Sequence, residues 1–414
     1  MNPSGRTRLI ASFLALAMIA SACGSDGGRA GQELATDVER EPASGSAPVT
    51  ETARALNSIG FSLFETLPPD LSTILSPSSI GHAVLMARAA ADESTGSAID
   101  SAMGLPAGVE AHDGWNAIDQ AIGDAVAVED ELTITMADRL WPRLDVDPDQ
   151  EWLDLLASRH GADVLPLDFG GDTEGSREVI NQWVAEQTED LIPELLAPGF
   201  VTAETVLVLT DTLYLAARWQ QVFGKYGTET APFHRLDGST VEVELMRDLE
   251  LGAPRGVGDG YAGAEIPYVG GQFSMLVIVP QEGRFTEVRD RFGPQLLAEI
   301  DGSFSTGPYE LLLPGWKDTS TIDLLPLLTG IGAAPGSYPS ISPGAVLGAA
   351  VHGADITVDD WGTVAAAATA LGFDESGPPE PELTIRVDRP FLYAIRNVDS
   401  GLILFLGQMV DPSV

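Results

Sequence analysis

Residues 354 to 372 read ADITVDDWGTVAAAATALG. Local propensity alone makes the alanine run from Ala365 to Ala368 a helix. The neighbouring stretch argues otherwise. FDESGPPEPE, Phe373 to Glu382, is acidic and rich in proline, which cannot continue a helix. Strand-like segments lie on both sides. The alternative is an exposed loop, about 360 to 385, standing on a stem of small residues between two strands.

Upstream, Thr52 to Leu67 places Ala55, Leu56, Ile59, Leu63 and Phe64 at helical spacing, and Pro68-Pro69 ends it. Thr73-Ile74-Leu75 is a short strand signal. Ser76-Pro77-Ser78-Ser79 then caps a helix predicted over Ile80 to Ala91. Arg177 to Leu196 carries Ile180, Trp183, Val184, Leu191, Ile192 and Leu195, the pattern of another amphipathic helix. Val206 to Leu215 is nearly all apolar, as a buried central strand should be. Phe273 to Val279 and Leu402 to Leu406 read the same way. Helices dominate the first half and strands the second, which predicts an α+β layout.

Composition excludes several functions. With 61 Asp plus Glu against 22 Lys plus Arg, the net charge is -39. Phosphate contacts need clustered basic residues, so no nucleic-acid partner is expected. Nor is electrostatic docking to anionic lipid. The five histidines (His82, His112, His160, His234 and His352) are scattered along the chain, and no HExxH occurs. GxSxG and a Walker loop are also missing, so neither an enzyme nor a cofactor is expected. Asp145, Asp147 and Asp149 begin like a calcium loop. Leu156 stands where the bidentate Glu belongs, so these acids read as the start of a helix before Trp152 and Leu153.

The N-terminus reads as a secretory signal, residues 1 to 22: Arg6 and Arg8, an apolar run from Leu9 to Ala20, then small residues. The run is too short for a permanent membrane span. Ala20-Ser21-Ala22-Cys23 resembles the lipobox of bacterial lipoproteins, in which the cysteine becomes residue one and carries the lipid. Cys23 is the only cysteine, so no disulfide forms within the chain. Residues 23 to 48 then read as a flexible tether of Gly, Ser, Ala and charge. These readings imply an extracytoplasmic protein, a membrane-anchored bacterial lipoprotein or a secreted one.

The loop resembles the hinge of the serpin family, whose pattern is two acids, Gly, Thr, any residue, four small residues, Thr. This chain has Asp359-Asp360-Trp361-Gly362-Thr363-Val364-Ala365-Ala366-Ala367-Ala368-Thr369. Further blocks keep the family's order. Ile74 to Ile80 is similar to the SPxSI block, and Ile180 to Val184 to INxWV. Leu207 to Tyr214 with Trp219 resembles LTNAxYFKGxW. Glu265 to Tyr268 resembles ExPY, and Asp388 to Phe391 with Leu404 to Gly407 resembles the PFxF and LFxG ending. The resemblance implies one domain, 49 to 414, although length alone suggests two or three. It implies three β-sheets, eight or nine helices and an exposed reactive loop. It implies a monomer that traps serine proteases by loop cleavage, the cut loop then inserting into the main sheet. The family also has non-inhibitory binding and structural members.

The same resemblance implies several site residues. Alternation puts Thr363, Ala365, Ala367 and Thr369 on one face of an inserting strand. All are small, so the overpacking cost of ~1–3 kcal/mol per site is avoided. Ala366 and Ala368 complete the stem, and Gly362 supplies freedom at the pivot. Trp361 and Val364 depart from the family's Glu. Ser76, Ser79 and His352 match polar positions that close the central sheet, with Asp211 in place of the family's Asn. Trp219 matches the aromatic where the loop enters. Counting from Gly362 puts the scissile bond after Ser376, before Gly377. Aligning Pro378-Pro379-Glu380 puts it after Glu375. Val364 to Ile385 contains no Lys or Arg, so a trypsin-like target, which needs a basic side chain, is disfavoured. An elastase-like or subtilisin-like target fits better.

Overall fold

The computed structural model describes residues 34, 36–136, 138–162, 164–249, 252–363, 381 and 383–413. Its helices are α1 Val49–Thr66, α2 Pro77–Ala89, α3 Glu93–Met103, α4 Ala111–Val128, α5 Gln150–Leu155, α6 Thr173–Gln187, α7 Phe285–Asp290, α8 Pro294–Ser303 and α9 Leu324–Gly330. A π-helical turn, Leu156–His160, extends α5. The strands are β1 Thr73–Leu75, β2 Leu132–Met136, β3 Arg139–Pro142, β4 Leu207–Arg218, β5 Thr228–His234, β6 Thr240–Asp248, β7 Pro254–Gly258, β8 Tyr261–Pro267 and β9 Phe273–Pro280. They continue as β10 Ser305–Thr306, β11 Glu310–Pro314, β12 Trp316–Asp323, β13 Ala349–Val358, β14 Gly362–Thr363, β15 Thr384–Arg386, β16 Phe391–Asn397 and β17 Ile403–Met409.

Three sheets result. One has seven strands in the order β1-β17-β16-β9-β8-β7-β10, and another has four in the order β15-β11-β6-β5. The third runs β12-β13-β14-β4-β2, with β3 also on β4. In the first, β9 and β17 are buried along their whole length, as their continuous apolar runs require. They anchor the main core together with α1 and α2.

Two helix boundaries differ from the sequence reading. Pro77, whose missing N–H costs nothing at a first helical position, begins α2, and Ser76 Oγ accepts from Ser79 N. The helix expected over Arg177 to Leu196 starts earlier and stops sooner. Asp172 caps its start by accepting from Gly175 N. At its end Thr188 Oγ1 donates to Val184 O and accepts from Ile192 N, and Glu189 and Asp190 turn the chain with φ of 50 and 62. Ile192 and Leu195 therefore reach the cluster around Trp141 and Phe169 from a loop. Helical spacing cannot distinguish a helix face from a loop that buries the same residues.

The tether is also corrected. Leu34 N donates to Val164 O, Glu41 N to Ser158 O and Arg40 Nε to Asn116 Oδ1, while Arg40 pairs with Asp119 at 2.6 Å. Residues 36–48 thus lie bound across α4 and the α5 region. Their polar composition resembles a spacer because hydrogen bonds, not apolar burial, hold them. Cys23 and the signal segment lie outside the described residues.

Candidate functional site: a hinge seated in the central sheet

The seam between β4 and β13 has two halves. From Ala349 to Ala354, β13 pairs in parallel with Val208 to Leu213 of β4. Beyond that the strands part, and β14 stands between them. Thr363 pairs with Val358 on one side and Ala217 on the other, and Gly362 pairs with Arg218. The two hinge residues are already strands of the sheet.

A tight turn delivers them. Asp359 Oδ1 accepts from both Trp361 N and Gly362 N, and Asp359 N donates to Gly362 O. A Cβ at Gly362 would overlap the carbonyl oxygen of Ala217. The glycine has a local reason besides freedom at a pivot: its φ is not in the left-handed region, and close backbone approach excludes any side chain. Thr363 is 1 % exposed, and its hydroxyl lies 2.6 Å from the Tyr268 hydroxyl. Burial pushes the Tyr268 phenol up, so it stays protonated and can donate. Trp219 stacks on Tyr268, with ring centroids 4.5 Å apart, and its Nε1 donates to Asp359 O. Trp219 N also donates to Trp361 O, so Trp361 joins the turn through its backbone and its side chain is half-buried.

Below the hinge, the expected polar residues do meet. Ser76, Ser79, Asp211 and His352 are all completely buried. Ser76 N donates to His352 Nε2 at 3.0 Å, which fixes the imidazole proton on Nδ1. That nitrogen donates to Asp211 Oδ1 at 2.6 Å. Burial holds His352 down to about 3, so it is neutral, and the contact is a hydrogen bond rather than an ion pair. Ser79 Oγ donates to Thr212 O, tying α2 to β4. The group therefore fastens α2 to both strands of the seam.

Sequence reading missed part of the site. Tyr268 lay in a recognised block but had no role, because its contact with Thr363 spans two sheets. Three of the histidines are not scattered: His82, His160 and His112 touch in a row that starts at Asp138. No spacing along the chain signals this, since α2, α4 and the π-helical turn supply one each. Ala365 to Thr369 and the bond candidates Glu375, Ser376 and Gly377 lie outside the described residues.

The chain as a whole has counterparts among known proteins. A family model described as Serpin (serine protease inhibitor) matches residues 54–412. The chain belongs to the serpin family. It is 29% identical to mouse antithrombin-III over 292 residues, 68% of this chain and 63% of that one, so under two thirds of that relative is spanned. An uncharacterized serpin-like protein of Thermococcus kodakarensis is 27% identical over 369 residues, covering 86% of this chain and 85% of its own. The thermophilic serpin tengpin in its native state superposes with a TM-score of 0.79 at 21% identity, over 90% of this chain and 97% of tengpin. Human thyroxine-binding globulin does so with 0.78 at 23%, over 89% and 100%. The serpin fold, with three sheets and nine α-helices among the described residues, is thus shared with proteins of different function.

Proposed function

We propose that this serpin is a suicide-type inhibitor of serine proteases, trapping its target when the cleaved loop inserts between β4 and β13. The observation that carries this reading is the seat of Gly362 and Thr363, paired between β13 and β4 at the end of the seam where the two strands part. A small polar side chain at Thr363 fits a position 1 % exposed, where a bulky one would overpack. The absence of Lys and Arg from Val364 to Ile385 favours an elastase-like or subtilisin-like target over a trypsin-like one. The protein acts as a monomer, held outside the cytoplasm by a lipid on Cys23. Replacing Cys23 by Ser should release it from membranes; retention there rejects the anchor.

A non-inhibitory binding role is the second reading, supported by Trp361 where the family usually has Glu. Incubation with a panel of serine proteases separates the two. An inhibitor forms a covalent complex that survives denaturant with an elastase-like or subtilisin-like enzyme. Cleavage without any complex across the panel sinks the inhibitory reading, and rapid stoichiometric trapping of trypsin sinks the target assignment.

A further inference from the structure

A row of titratable groups runs across the seam. β2 ends with Met136 opposite Leu213, and β3 resumes with Arg139 opposite Thr210. Asp138 lies in the step between them, across from Asp211 and Thr212, and accepts from the Thr212 backbone N–H. On the other side of Asp211 the parallel register places His352. From Asp138 the row runs away from the seam. Asp138 Oδ2 is 2.5 Å from His82 Nδ1, His82 Nε2 is 2.8 Å from His160 Nδ1, and His160 Nε2 is 2.9 Å from His112 Nδ1. Trp115 stacks on the His82 ring at 3.9 Å.

The two carboxyl side chains are 2% and 0% exposed, and each keeps one oxygen without a hydrogen-bond partner, Asp138 Oδ1 and Asp211 Oδ2. Two buried carboxylates facing one another across a strand pair cannot both hold charge cheaply. We propose that Asp138 and Asp211 share a single proton while the seam is closed, and that this proton, exchanged with solvent through His82, His160 and His112, makes opening of the seam pH-dependent. The proposal rests on the β4–β13 seam being where the loop inserts.

The transfer balances. With Asp138 ionised, each imidazole holds its proton on Nδ1, directed towards the carboxylate. A proton taken up at His112 Nε2 moves each bonded proton one step inward. Asp138 ends protonated on Oδ2, and three neutral rings remain with reversed tautomers. Burial lowers His112 to about 4 and holds His160 well below its ordinary value, so neither ring stores the charge near neutrality. Burial first, and then Asp138, raises Asp211 well above the carboxylate range. The charged neighbours are paired among themselves: Arg88 of α2 with Asp100 of α3, Arg40 with Asp119 of α4, and Arg159 with Asp113 of α4 and Glu41. Separating β4 from β13 parts His352 from Asp211 and admits water, so both carboxyls ionise and the shared proton leaves. The closed seam binds one proton more than the open one, and rising pH therefore favours opening.

Amide hydrogen exchange of the full chain, corrected for intrinsic rates, reads this at Val351 to Ala354 without any protease. Between the ordinary carboxyl range, about 4, where the open state titrates, and the titration of the closed pair, the opening constant should rise up to about tenfold per pH unit, the slope of one released proton. Asp211→Asn, which restores the family's residue, and Asp138→Asn should each flatten it. His160→Gln keeps both carboxyls and should keep the slope, while the low-field proton resonance of His82 Nδ1–H sharpens as its exchange with water slows. A flat wild-type profile, or a slope that survives in both Asn variants, overturns the proposal. If His82 shows the same exchange in His160→Gln as in the wild type, the relay is rejected. Covalent complexes with a flat profile refute only this switch. A steep profile without complexes leaves the switch standing and refutes the inhibitory reading.

Discussion

The upper and lower halves of one seam are held together in different ways. In the lower half β13 and β4 pair directly from Ala349 and Val208 to Ala354 and Leu213, and buried bonds from His352 reach Ser76 and Asp211. In the upper half the strands are parted, and among the described residues Gly362 and Thr363 stand between them. A further strand can therefore start at the top without breaking anything. Each residue added below must displace a paired backbone, and at His352 it must also break a buried hydrogen-bond network. Under the proposed insertion, the resistance would sit in the lower half and the selection for small side chains would begin in the upper.

Thr363→Arg should break this contrast most severely. It places a guanidinium where the native side chain is 1 % exposed, and an unpaired buried charge costs about 3–5 kcal/mol. The hinge should leave the seam and insertion should stall, so the variant is cut but forms no covalent complex. Denaturing gels after incubation with the target check this. A complex formed at the wild-type rate means that insertion does not begin at Thr363.

His352→Gln tests the lower half. At neutral pH the variant loses bonds to Ser76 N and Asp211, worth roughly 1–3 kcal/mol where a buried partner is left unpaired. The pH dependence has a definite sign. The folded imidazole, lowered to about 3 by burial, binds its proton less readily than the ordinary value of 6.5. Its contribution is full above about 6.5 and is lost as pH falls towards about 3, at up to about 1.4 kcal/mol per pH unit. The stability gap between wild type and variant should therefore narrow on acidification. Denaturant unfolding at several pH values measures it, and a gap that widens contradicts a neutral His352.

Much of this seam was legible in the sequence because its residues recur in short ordered blocks. Ser76, Ser79, Asp211, Trp219 and His352 were placed together through those blocks, and the buried strands through their continuous apolar runs. Contacts between blocks were not legible. Tyr268 reaches Thr363 from another sheet, and Asp138 faces Asp211 only because β2 and β3 keep a single register on β4 across the gap between them. Gly362 was expected to give freedom at the pivot, and its close approach to Ala217 is a further reason for glycine that shows only once β4 is in place. The polar segment 36–48 looked unbound because periodicity detects apolar faces and is blind to hydrogen bonds.

Tyr268→Phe asks how firmly the upper half holds its two residues, and it carries the smallest expected effect. The substitution keeps the ring that stacks on Trp219 and removes only the hydroxyl 2.6 Å from Thr363 Oγ1. A net hydrogen bond is worth about 1 kcal/mol, a factor of about five in an equilibrium constant. The seated hinge should therefore open about five times more often, while the lower half, which makes no contact with this hydroxyl, is unchanged. Amide exchange at Thr363 should accelerate by that factor and exchange at His352 should not. Equal acceleration at both residues would show that the two halves open as one unit, and the contrast between them would fail. No acceleration at either would show that the Asp359 turn and the close approach of Gly362 to Ala217 seat the hinge unaided.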